Sequence, residues 1–103
     1  MNKTILYLGL NDKDTKTQKI DTIEAYKIVE NIILSKEITA YTISQAQGLY
    51  RHENGDITRE NTLMIILLDT PQKSIDKIVD TLKTIFNQEC IGVEQSVVNV
   101  DFK

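Results

Sequence analysis

Two stretches of this chain are continuously apolar and two others are striped. Ile5-Leu6-Tyr7-Leu8 and Leu63-Met64-Ile65-Ile66-Leu67-Leu68 are unbroken runs, the pattern of strands buried on both faces. Ile23, Tyr26, Ile28, Val29, Ile32 and Ile33 recur at three- and four-residue steps, as do Ile75, Ile78, Val79, Leu82, Ile85 and Phe86, and that spacing belongs to one face of a helix. The pattern predicts strand one over 5–10, helix one over 21–36, strand three over 57–68 and a second helix opening at a Ser74 N-cap. Asp21 or Thr22 is the expected cap of helix one, with Glu24 in its first turn. Residues 39–51, TAYTISQAQGLYR, alternate β-branched or aromatic with polar residues, which suits a strand with one face wet or at a subunit boundary. Asn54-Gly55 tolerates the positive φ of a tight hairpin, and VEQSVVNVDF, 93–102, supplies a closing strand.

The order βαββαβ implies an α+β ferredoxin-like split βαβ domain: a four-stranded antiparallel sheet with two helices on one face and strands one and three in the centre. The two unbroken apolar runs fall in those central strands. Two helices cover only one face of a sheet, so the other is expected to need a partner. A second copy of the chain is the simplest cover, which predicts a homodimer or homotrimer through the sheet face or edges.

With 103 residues, one Pro and four Gly, the length fits a single domain over 1–103. The net charge of -3 provides no positive field for nucleic acid, and the apolar third strand lacks the exposed aromatics of an RNA-binding sheet. The N-terminal apolar run is too short for a signal-peptide core and no run reaches membrane length, so no membrane partner is expected. The single cysteine, Cys90, excludes an intrachain disulfide and fits a reducing cytoplasm.

The long strand two, the turn, the long strand three, the helix and the closing strand resemble the PII and CutA group of ferredoxin-like proteins. That resemblance implies an oligomer with sites between subunits. The short Asn-Gly turn departs from the long partner-binding loop of PII proteins, and no metal-ligand set transfers from CutA. A second, local resemblance joins LYLGL and GLYRHENGDITRE to an uncharacterised bacterial family of small ferredoxin-like domains. Leu6, Tyr7, Gly9, Leu10, Gly48, Tyr50, Arg51, Gly55, Ile57, Arg59 and Glu60 carry it, and it implies kinship without a known chemistry.

The richest polar constellation is Tyr50, Arg51, His52, Arg59 and Glu60, together with Glu53, at the hairpin. Two arginines there suit a small anionic ligand, with His52 as an acid or base near neutral pH; the plainer role is an exposed, solubilising edge. No residue is assigned a catalytic role. The lone histidine and the absence of Cys-x-x-Cys or His-x-x-x-His spacing leave no metal site or cofactor to assign. Cys90, placed at the end of helix two, reads as a small half-buried packing residue. Tyr7, Tyr26, Tyr41 and Tyr50 are candidates for lining a pocket, Tyr26 being better suited to the core.

The expected function is therefore a non-catalytic oligomeric module that binds a ligand or a protein. The alternative is a small enzyme of the dimeric ferredoxin-like type, with a pocket between sheet and helices or between subunits. An enzyme needs polar groups converging on one cavity. A protein partner could instead add a strand to an open sheet edge.

Overall fold

The computed structural model describes residues 1–36, 38 and 40–103. In it the chain runs β1 (Asn2–Gly9), α1 (Thr22–Leu34), β2 (Tyr41–Arg51), β3 (Ile57–Leu68), α2 (Gln72–Ile85) and β4 (Gly92–Val97). The strands are antiparallel in the order β2-β3-β1-β4, so the two apolar strands are central and the fold is the ferredoxin-like βαββαβ.

Helix α1 begins where Asp21 Oδ1 accepts the Glu24 N–H at 2.8 Å, which satisfies one of the donors a helix leaves free at its start. Its buried line is Ala25, Val29 and Ile33, one residue per turn; Ile23, placed on the stripe by sequence, is 69% exposed. Helix α2 buries Ile75, Ile78 and Leu82. It starts earlier than expected: Pro71 stands at the N-cap without a side-chain bond, and Ser74 lies inside the first turn. Pro is accommodated there because the first N–H groups have no helical partner.

Direct cross-strand partners share a face of the sheet, so the register assigns every strand residue to a side. Leu6, Leu8, Leu63, Ile65 and Leu67 face the helices and are fully buried against Val29, Ile33, Ile78 and Leu82. Tyr26 and Tyr41 pack at the edge of this core. The other face carries Ile5, Tyr7 and Gly9 of β1 opposite Ile66, Met64 and Thr62 of β3.

The outer ends of β1 and β4 differ from the sequence pattern. β1 begins at Asn2, because the polar Asn2, Lys3 and Thr4 still pair with Val97, Ser96 and Gln95 of β4. β4 ends at Val97, next to one last backbone bond from the Val98 N–H to the Met1 carbonyl at 2.8 Å. The expected start of strand two at Thr39 lies outside the described residues. The hairpin turns as sequence implied, with His52 N–H donating to the Asp56 carbonyl at 2.8 Å and Gly55 at φ +90°. Asn54 Oδ1 accepts the Asp56 N–H at 3.0 Å and holds the turn.

Candidate functional site

The β2–β3 hairpin pairs from Tyr41 with Leu67 out to Arg51 with Ile57, and the molecule measures 46 × 25 × 24 Å. On the helix-free face a groove of about 850 Å³ runs from the hairpin across the sheet to the loops after β1 and α2. Tyr7, Gly9, Gly48, Tyr50, Glu60, Thr62 and Met64 line its sheet side, and His52 and Thr58 stand at the hairpin end.

The loop wall is built by Asp12. Its Oδ1 accepts the N–H groups of Asp14 at 2.9 Å and Thr15 at 3.0 Å, and its Oδ2 accepts from Asn87 Nδ2 at 3.0 Å. Gln88 Nε2 donates to the Asn11 carbonyl at 2.6 Å. The bond from the Thr15 backbone, then the one from Asn87, holds the Asp12 carboxyl far below the usual carboxylate range. Asp12 is 6% exposed and its oxygens are already occupied, so it shapes the loop and is not available to a ligand.

Glycines make the floor. A Cβ on Gly9 would lie 2.6 Å from Glu60 Cδ, so the bare backbone of Gly9 is what lets the Glu60 carboxylate lie across β1. There Glu60 Oε2 accepts the Asn11 N–H at 3.1 Å. A Cβ on Gly92 would stand 3.2 Å from Tyr7 Cδ2, so the Tyr7 ring lies over β4 in the same way. The Tyr7 hydroxyl donates to Glu94 Oε1 at 2.6 Å, and that bond, with desolvation and the charge of Glu94, raises the Tyr7 pKa.

The five residues singled out at the hairpin do not form one constellation. Gly48 pairs with Glu60 and Tyr50 with Thr58, whereas Leu49 pairs with Arg59 and Arg51 with Ile57. Tyr50, His52 and Glu60 therefore line the groove, while Arg51 and Arg59 sit on the opposite side of the ribbon. The alternation of a strand separates them, so the two arginines do not converge with His52 and Glu60 on one anion. His52 Nε2 is 2.7 Å from Thr58 Oγ1. Cys90 is also relocated: α2 ends at Ile85, and Cys90 is exposed in the following loop on the groove rim, not half-buried at a helix end.

Sequence reasoning missed the contribution of β1 and of Thr62 and Met64. The signal was present in the glycines: Gly9, Gly48 and Gly92 all stand on the helix-free face of three different strands. The third strand's apolar run also describes only half of that face. Thr58, Glu60 and Thr62 precede Met64, Ile66 and Leu68, so the face is polar at the groove and apolar beyond it. Among the described residues no three His, Cys, Asp or Glu side chains gather as metal ligands, and no helix is long and apolar enough to cross a membrane.

A family model described as protein of unknown function (DUF3574) matches residues 3–102, and the chain belongs to that family. No curated protein matches it. Among solved structures, a phage SAM lyase in complex with S-methyl-5'-thioadenosine superposes with a TM-score of 0.69 at 22% identity, over 92% of this chain and 79% of that one. The periplasmic divalent cation tolerance protein CutA from Archaeoglobus fulgidus gives 0.61 at 14% identity, over 98% and 88%. CutA from Synechococcus elongatus gives 0.60 at 14%, over 94% and 76%. At these identities the likeness establishes the fold. The ferredoxin-like architecture of CutA, expected from the order of elements, is shared, and an enzyme shares it too.

Proposed function

We propose that this DUF3574 chain is a small enzyme whose groove takes a flat, positively charged nucleoside, with a second copy of the chain closing the open side. The observation that carries this reading is the Glu60 carboxylate laid across Gly9, in a groove that Tyr7 and Tyr50 also line. A carboxylate in that position can hold a positive charge or accept a proton from a neighbouring carbon, and the tyrosines offer flat surfaces to a base and to a cation. Lys13 and Lys16 on the rim suit a carboxylate elsewhere on the same ligand. SAM, a sulfonium nucleoside with an amino-acid tail, has this combination of groups, and the fold's likeness to a phage SAM lyase makes it the first compound to test.

Self-association follows from the same face. From Met64 in the groove, the half-buried Ile66 and Leu68 continue the floor beside the buried Ile5 as an apolar strip on the face opposite the helices. A second copy placed on it would shield both the strip and a ligand in the groove.

The test is incubation of the purified protein with SAM, with products followed by liquid chromatography and mass spectrometry. Release of S-methyl-5'-thioadenosine by the native chain, lost in Glu60→Gln, supports the enzyme. The fold's likeness to CutA as well favours a second reading, a non-catalytic ligand-binding module; saturable binding of SAM without any product would select it.

A further inference from the structure

The lining of the groove holds an unused hydroxyl. Thr62 is 8% exposed and its Oγ1 is buried without a hydrogen-bond partner. Buried hydroxyls are ordinarily bonded, and one left unsatisfied is destabilising. A nearby substitution of a polar group would have been enough to supply a partner. Across the strands its neighbours have almost no side chain: Gly9 and Ala46 are its direct partners and Gly48 is its diagonal neighbour on β2, while Glu60 and Met64 flank it along β3.

Gly48 leaves the space beside this shielded oxygen without a side chain. A Cβ there would stand 3.2 Å from Thr62 Oγ1, 3.6 Å from Tyr50 Cε2 and 3.7 Å from Glu60 Cγ, so even a methyl group would crowd the hydroxyl. No backbone requirement accounts for this glycine, because its φ is not in the left-handed region. Tyr50, 55% exposed, borders the same space, and its turning aside would admit a ligand atom to the oxygen.

We propose that Thr62 is a specificity-determining residue of the groove, its hydroxyl bonding a sugar hydroxyl of the bound nucleoside through the gap left by Gly48. The inference rests on the nucleoside reading of the groove and adds which part of the ligand is read, and by which residue. A threonine hydroxyl both donates and accepts, so it matches a sugar hydroxyl better than it matches the cationic centre, which Glu60 takes.

The experiment measures calorimetric binding of S-methyl-5'-thioadenosine, and of its 2'-deoxy and 3'-deoxy analogues, to the native protein, Thr62→Val, Thr62→Ser and Gly48→Ala. Melting temperatures are recorded without ligand. Thr62→Val is expected to weaken binding of the parent nucleoside roughly tenfold, the usual effect of removing one hydrogen-bond partner. One deoxy analogue should bind native protein and Thr62→Val equally, because the bond is already missing. Thr62→Ser should keep the native affinity, and Gly48→Ala should lose it. Without ligand, Thr62→Val should melt no lower than native protein, since an orphaned hydroxyl is replaced by a methyl group of the same shape.

Native-like binding by Thr62→Val would overturn this inference while leaving the nucleoside site intact. A lower ligand-free melting temperature for Thr62→Val would show that the hydroxyl already serves the fold, and would overturn it as well. Failure of the native protein to bind any of the three nucleosides would overturn both, and the native arm alone reveals that case.

Discussion

The two faces of one sheet are built from neighbouring residues yet follow different rules. Leu63, Ile65 and Leu67 point to the helices and are fully buried, whereas Thr62, Met64 and Ile66, each one position away, point to the face opposite the helices. The covered face is closed by large aliphatic side chains. The open face is paved at one end by three glycines, over which Glu60 and Tyr7 lie flat. A surface built only for packing has no use for that paving, because each glycine gives up side-chain contact and adds backbone freedom to the unfolded chain. The difference separates a face that holds the fold together from one shaped to receive something.

The largest expected contrast comes from adjacent positions. Leu63→Ala removes a fully buried side chain and should cost about 2–5 kcal/mol in urea denaturation. Met64→Ala, on the half-buried open face, should cost less, and by an amount that grows with protein concentration if a second copy covers that face. Equal, concentration-independent losses would erase the distinction between the faces.

Gly9→Ala sharpens the comparison on the open side. The new Cβ must push aside the end of Glu60, a flexible side chain, and so the melting temperature should change little. Nucleoside binding should fall at least about tenfold, as expected when one charge-assisted contact is misplaced. A large loss of stability with retained binding would make Gly9 a structural residue only.

Asp12 ties the loop wall to α2 and gives a pH signature. Its carboxyl ionises far below the usual range when folded, so it contributes stability that is complete above about pH 4, its unfolded value, and that is lost as pH falls through the folded value. Denaturant midpoints measured from pH 6 downward should therefore decline in the native protein. In Asp12→Asn the decline should be shallower and should start from a lower midpoint, because the bonds to Thr15 and Asn87 are disturbed at every pH.

The smallest effect concerns Tyr7. Glu94→Gln weakens the hydrogen bond that chiefly raises the phenol pKa and removes the charge that adds to it, so Tyr7 should ionise at lower pH, observable by the side-chain carbon resonance in NMR. Overall stability should be nearly unchanged, as is usual at exposed positions.

Much of the fold was legible because burial leaves a pattern in one dimension. The uninterrupted Ile5–Leu8 and Leu63–Leu68 runs located the central strands, and the Ile75-Ile78-Leu82 stripe located α2. The ends were harder to read: Ser74 is a better N-cap by type than Pro71, but the chain entering from Asp69 had already turned. The site was legible only in part. Tyr50, His52 and Glu60 could be named from the hairpin, but whether Arg51 and Arg59 joined them depended on register, where a shift of one residue exchanges the faces. Gly9 and Thr62 became visible only when β1 was set beside β3, because sequence distance hides a groove made from both ends of the chain.

The most direct measurement is an amide NMR titration of the native protein with SAM. The account predicts saturable shifts at Gly9, Asn11, Gly48, Glu60 and Gly92, with the amides of Val29 and Ile78 unmoved between the helices and the covered face. Shifts centred on the helices, or none at millimolar SAM, would contradict it.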